Sequence, residues 1–246
     1  MRLRGRKGIR EALEAQPDLV ILNPKEYKGR WSEYFGNDRP IYVELGMGKG
    51  QFISRMSIKH PEANFIGVDM YDELLRRASE KARAAREEAG LGEELSNLAL
   101  ALFNIEYIED IFSPGELERI YLNFSDPWPK KKHARRRLTH RRFVEKYMKL
   151  LNERGEIHFK TDSRSLFEFS LNSFADMGLR MRNISLDLHA DGPHPDNVMT
   201  EYETKFFEQG MNIYRCEVVI GPEALDKHIR HLADTVAAEE KQKQSE

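Results

Sequence analysis

Short apolar runs alternate with longer amphipathic stretches through the first two thirds of the chain. That alternation predicts a Rossmann-like α/β fold, a doubly wound and mostly parallel sheet with helices on both faces. The runs at 41–45, 64–69, 98–103, 119–124 and 156–160 are rich in Val, Ile, Leu, Phe and Tyr and are bounded by Gly, Pro, Asp or Asn. Near-continuous apolar character is what a strand covered on both faces requires. Helical spacing predicts helices over 51–59, 72–88, 141–151 and 163–177, with Asp72 and Ser163 placed as N-caps. Past Gly178 the period changes to two over 179–188 and 212–220, which predicts an antiparallel edge hairpin. The chain then offers one amphipathic helix over 224–237 and a polar tail over 239–246, whose composition predicts disorder. The expected organisation is a basic flexible arm (1–20), one domain (21–220), and a C-terminal helix and tail (221–246).

Composition narrows the class. No uncharged apolar run nears the roughly 20 residues that span a bilayer, so no membrane segment is expected. The basic stretch from Met1 to Arg10 lacks the apolar core of a secretory signal behind it. Cys216 is the sole cysteine and lies in a strand-like run, which predicts a reduced core residue and a cytoplasmic protein. A formal net charge of −2 argues against a uniformly basic surface, yet 130–142 holds eight Lys or Arg, two His and no carboxylate. Local fields, not net charge, must attract any polyanion. Oligomeric state is not legible here; a monomer and a homodimer are both compatible.

Glu44-Leu45-Gly46-Met47-Gly48-Lys49-Gly50 lies between a strand and a helix, where glycines let the backbone turn tightly and approach a ligand. A glycine triplet alone reads equally well as a turn that binds nothing. Asp69 ends the next strand, about where an acidic side chain meets a ribose in nucleotide folds. The spacing is G-x-G-x-G, not the dinucleotide G-x-G-x-x-G, and Glu44 would repel a pyrophosphate while attracting the ammonium and sulfonium charges of S-adenosyl-L-methionine. Either carboxylate alone reads as a strand-end charge or a helix cap; together they favour the methyl donor.

The fourth strand runs into Asn123-Phe124-Ser125-Asp126-Pro127-Trp128-Pro129, then Lys130, Lys131, Lys132, His133 and Arg135, Arg136, Arg137. Open α/β sheets place ligands at this carboxyl edge. Pro127 and Pro129 stiffen the loop, leaving Trp128 either to stack on a base or to plug the core. The string Asn-Phe-Ser-Asp-Pro-Trp-Pro-Lys-Lys with its arginine run resembles the bacterial tRNA (guanine-N7)-methyltransferase family. Further matches are Gly67-Val68-Asp69, His158-Phe159-Lys160-Thr161-Asp162 and Thr200-Glu201-Tyr202-Glu203-Thr204-Lys205-Phe206, so the likeness covers about 20–216. It departs from the family at Asp69, where Glu is frequent, and in a long 84–97 segment.

The resemblance implies a class I S-adenosyl-L-methionine-dependent methyltransferase fold and methylation of guanosine 46 in the tRNA variable loop. It implies that Glu44, Gly46, Gly48, Asp69, Asn104 and Asp126 bind the cofactor, with Asp126 also the active-site residue. Lys130, Asp162, Thr200, Glu201, Tyr202 and Glu203 would bind the substrate nucleotide. Lys132, His133, Arg135, Arg136 and Arg137 would contact tRNA backbone, and Arg141 and Arg142, by their charge, would help to neutralise it. Guanine N7 carries a lone pair and no proton, so Asp126 is expected to orient the base, not to deprotonate it. Two other readings fit parts of the pattern: methylation of another RNA base nitrogen, and a noncatalytic RNA-binding protein. His189, Asp191, His194 and Asp196 lack a metal-ligand spacing, and no metal is expected.

Overall fold

The computed structural model describes residues 8–92 and 95–244. In chain order the elements are α1 (Ile9–Glu14), β1 (Val20–Ile21), α2 (Trp31–Phe35), β2 (Ile41–Leu45), α3 (Gln51–Lys59), β3 (Asn64–Asp69), α4 (Asp72–Glu88) and β4 (Leu98–Leu102). There follow β5 (Leu117–Asn123), α5 (Arg141–Leu150), β6 (Leu151–Thr161), α6 (Arg164–Asp176), β7 (Arg180–Ser185), α7 (Glu201–Glu208), β8 (Tyr214–Val219) and α8 (Pro222–Gln244).

The eight strands form one sheet in the order β1-β4-β3-β2-β5-β6-β8-β7. Strands β1 to β6 pair in parallel, and β8 runs antiparallel to both β6 and β7, which is the edge hairpin expected from the period-two pattern. The chain winds outward from β2 through β3 to β4, then returns to β5 on the other side of β2. The order therefore switches between β2 and β5, and a crevice at their carboxyl ends is the ligand position of such sheets.

Two apolar layers sandwich the sheet. One gathers Trp31, Phe112, Tyr147, Phe167 and Phe174 with inward residues of the strands. The other packs Leu13 of α1 and Leu75 and Ala78 of α4 against Phe52, Ile53 and Phe65. Ser163 caps α6 as expected, accepting from the Leu166 N–H. Asp72 does not cap α4; Tyr71 is the cap residue and makes no side-chain bond there, while Asp72 lies in the first turn near the positive helix end.

Four differences have physical causes. From Ile9 onward the expected arm is structured, because Ile9 and Leu13 are buried in the second apolar layer; residues 1–7 lie outside the described residues. Two-residue β1 is too short to show a period, and tertiary pairing with Leu100 and Ala101 makes it a strand. Short α2 is anchored by tertiary bonds, Trp31 Nε1 donating to the Ile111 carbonyl at 2.9 Å. Helix α8 continues to Gln244 where disorder was expected, since its Ala, Glu, Lys and Gln residues all favour helix; residues 245 and 246 are outside the described set.

Candidate active site

Gly46, Gly48 and Gly50 all sit at positive φ, +81°, +57° and +75°. A Cβ at Gly50 would meet Ala78 Cβ at 2.6 Å, so this glycine lets α3 approach α4, whereas Gly46 and Gly48 face open space. The Gly46 and Met47 N–H groups both donate to the Val68 carbonyl, which ties the loop to the end of β3. Asp69 completes the brace: Oδ2 accepts from the Gly48 N–H at 3.1 Å, and Oδ1 accepts from Met70 and Tyr71. Asp69 thus caps its own turn as well as holding the glycine loop. Burial, and then the charge of Asp126, raise its pKa.

Glu44 and Asn123 meet across the switch point. Asn123 Nδ2 donates to Glu44 Oε1 at 2.9 Å, and both side chains are buried. Glu44 Oε2, Asn123 Oδ1 and Ser125 Oγ have no partner among the described residues. Burial pushes the Glu44 carboxyl up to about 8. Buried acceptors without donors are costly, and a cationic N–H donor is the group that would satisfy them. These two residues line a narrow pocket with Gly46, Gly48, Phe124 and Tyr202. It adjoins a wider groove of about 580 Å³ lined by Lys49, Gln51, Arg55, Tyr202 and Lys205.

Asp126 follows β5 on an exposed loop. Phe124 (φ +51°) and Trp128 (φ +43°) hold backbone conformations that non-glycine residues seldom adopt. Arg137 fixes that loop from behind: Nε donates to the Pro127 carbonyl at 3.0 Å and Nη2 to the Trp128 carbonyl at 3.1 Å, while the guanidinium lies 4.3 Å from the Phe169 ring centre. Arg137 is only 8% exposed, so the expected backbone contact for it is replaced by a structural one. Trp128 is half-buried, with Arg136 4.8 Å from its ring centre and His133 edge-on. Lys130, Lys132, Arg135 and Arg136 are exposed.

Asn104 stands exposed after β4, its Oδ1 accepting from the Glu106 N–H, while the preceding residue, Phe103, bonds the Asp69 carbonyl. Asp162 is half-buried just beyond β6. Helix α7 carries the Thr-x-x-Glu motif, and two of its residues depart from expectation. Thr200 and Glu203 form a reciprocal capping box. Glu203 is also fully buried, bonded to Lys160 at 2.6 Å, to Asn197 at 2.7 Å and to His189 at 3.0 Å. These contacts commit it to packing α7 on β6, where a substrate contact was expected. Glu201 pairs with Lys49 and Lys81, and Tyr202 is 57% exposed over the pocket.

Asn123 and Lys160 gained no role from their motifs, although both interrupt apolar strand ends. A polar residue inside such a run, as with Glu44 in β2, is the signal that marks them.

The family described as putative methyltransferase matches residues 38–216. A tRNA (guanine-N(7)-)-methyltransferase of Geobacillus sp. (strain WCH70) is 50% identical over 222 residues, 90% of this chain and 97% of the relative. The enzyme of the same name from Streptococcus sanguinis (strain SK36) is 50% identical over 217 residues, 88% of this chain and 98% of the relative. The solved structure of an antibiotic-related methyltransferase superposes with a TM-score of 0.56 at 16% identity, covering 77% of this chain and 92% of that one. The 16S rRNA (adenine(1408)-N(1))-methyltransferase from Catenulisporales acidiphilia gives 0.52 at 16% identity, covering 82% and 95%. At that distance the structures establish a shared methyltransferase fold, and the sequence identity goes further: the chain belongs to the tRNA (guanine-N(7)-)-methyltransferase family.

Proposed function

We propose that this protein transfers a methyl group from S-adenosyl-L-methionine to N7 of guanosine 46 in the variable loop of tRNA. The observation that carries the cofactor assignment is the buried Glu44–Asn123 pair with two unsatisfied acceptor oxygens at the switch point. Such oxygens suit the ammonium of the methionine moiety, and Gly46 and Gly48 leave the backbone clear for it. Asp69 and Asn104, at the ends of adjacent strands, would meet the ribose and the adenine side.

S-adenosyl-L-methionine, held at the Glu44–Asn123 pair and the glycine loop, would supply an electrophilic methyl carbon to N7, its sulfur keeping the electron pair as a neutral thioether. The residues supply position and charge. Asp126 accepts hydrogen bonds from the donor edge of guanine and turns N7 inward, and its carboxylate offsets the positive charge that grows on the purine. Lys130 and Asp162 border the nucleotide, Tyr202 offers a ring for it, and Lys132, Arg135 and Arg136 hold flanking phosphates. Arg137, Thr200 and Glu203 shape this site without touching the base.

Incubation with a labelled methyl donor and unmodified tRNA, followed by nucleoside analysis, should place label in 7-methylguanosine at that one position. Label on an exocyclic amine would favour another base-nitrogen methyltransferase, and no cofactor binding by calorimetry would favour a noncatalytic RNA binder. Asp126→Asn should keep cofactor affinity within about threefold and lower kcat by about 100-fold or more, the scale of one lost electrostatic contact to the transition state.

A further inference from the structure

The sheet face that packs on α1, α3 and α4 is apolar at one end and charged at the other. Across β5, β6, β8 and β7, neighbouring registers on that face bring Arg119 beside Glu156, His158 beside Glu217 and Lys160 beside Arg215. A cavity of about 410 Å³ lies over this patch, closed by α3 and by residues 188–198. Its lining includes Arg119, His158, Lys160 and Arg215, with Phe52 and Tyr121 as walls. Neither Asp126 nor Lys130 lines it, and among its lining residues it shares only Phe52 and Asn123 with the pocket at the glycine loop.

The charges beneath the cavity do not balance. Arg119, Arg182, Arg215 and Lys160 share only Glu156, Glu217 and Glu203: Arg182 pairs with Glu156 at 2.6 Å and Glu217 at 2.8 Å, Arg215 with Glu217, Lys160 with Glu203 at 2.6 Å, and Arg119 with Glu156 at 3.5 Å. The three carboxylates lie outside the lining, whereas three of the four cations lie within it; Asp196, the carboxylate on the rim, is exposed and already pairs with Lys59 at 3.4 Å. Arg119 Nε is buried without an acceptor among the described residues. Burial, with Arg119 contributing, holds the His158 pKa down. Glu156, His158 and Glu217 are spaced for a metal, but guanidinium groups already hold both carboxylates. A surplus cation removed from water is destabilising unless an anion accompanies it.

We propose that this cavity is a second ligand site, which takes the phosphate of a phosphorylated ligand of about nucleoside-monophosphate size. Guanidinium forks suit phosphate oxygens, Tyr121 and Phe52 offer ring contacts, and the volume lies in the range of small-ligand pockets. The phosphate belongs either to a free nucleotide or to the backbone of bound RNA.

The full-length protein would be titrated with inorganic phosphate and with guanosine 5′-monophosphate at constant ionic strength, following its thermal midpoint and the histidine imidazoles by NMR. Saturable stabilisation is expected, with the His158 imidazole titrating at higher pH when the anion is bound. Binding should weaken at least tenfold in Arg119→Gln and in Arg215→Gln, and stay unchanged in Lys130→Ala and with S-adenosyl-L-homocysteine present. The imidazole shift is read in the unaltered protein, so a variant that fails to fold does not remove the test. Displacement of phosphate by tRNA would assign the site to the RNA backbone, and coexistence would assign it to a free nucleotide. Absence of saturable binding, or equal affinity in both folded arginine variants, overturns the site.

Discussion

Pro127 and Pro129 remove two backbone donors from the Asp126 loop, and Trp128 holds φ +43°, so the loop depends on what binds its carbonyls. Arg137 binds two of them. Arg137→Lys keeps the charge and loses the fork, so it should still lower kcat by about 10- to 100-fold through misplacement of Asp126. The salt dependence of tRNA binding should not change. Trp31 is fully buried elsewhere, so an altered tryptophan emission would report Trp128 leaving its place. Weaker tRNA binding at intact kcat would instead make Arg137 an RNA contact.

Glu44 gives a second prediction at this scale. Its carboxyl stands near 8 in the fold against an ordinary 4.5, so the native state binds more protons than the unfolded chain between those values. The stabilisation it gives the ligand-free protein is complete below about pH 4.5 and is lost as pH rises through about 8. A cationic ligand reverses the preference by favouring the carboxylate. Cofactor affinity should therefore rise by up to about tenfold per pH unit from roughly pH 6 to 8, with one proton released per molecule bound. Calorimetry in buffers of different ionisation enthalpy measures that proton, and Glu44→Gln should abolish its release.

Among the elements, α7 and β6 are joined by the Lys160–Glu203 ion pair, with His189 and Asn197 completing the buried network. Glu203→Leu alone leaves a buried ammonium without its carboxylate and should cost about 3–5 kcal/mol in denaturant unfolding. Lys160→Met with Glu203→Leu should recover much of that loss, since an apolar pair of similar volume carries no desolvation cost. The central strands and long helices were legible because each buries a continuous apolar stripe. Helix α7 was not, because its sequence is polar and the buried member of its motif is a carboxylate whose ionisable partners, Lys160 and His189, are 43 and 14 residues away. For the same reason the motif exposed Glu203 as important without revealing what it touches. Asp126 and Glu44 were legible because chain order alone places strand ends at one edge of a parallel sheet.

For the whole molecule, the net charge of −2 conceals a division, among the described residues, between cations already paired and cations left free. Within the basic segment, Arg137 is committed to carbonyls, Arg141 to Glu145 and Arg142 to Glu106. Lys130, Lys132, Arg135 and Arg136 are the exposed side chains assigned to the substrate and its flanking phosphates. Each phosphate they neutralise should add about 0.7–0.9 to the slope of log affinity against log salt. Replacing Lys132, Arg135 and Arg136 together by Gln should therefore lower the magnitude of that slope by about 2–3, whereas Arg142→Gln should leave it unchanged. Filter binding of tRNA across a salt series separates the two cases. Equal slopes for the triple variant and the parent would mean that the RNA runs elsewhere, and the groove with Lys49, Arg55, Tyr202 and Lys205 would be the next surface to alter.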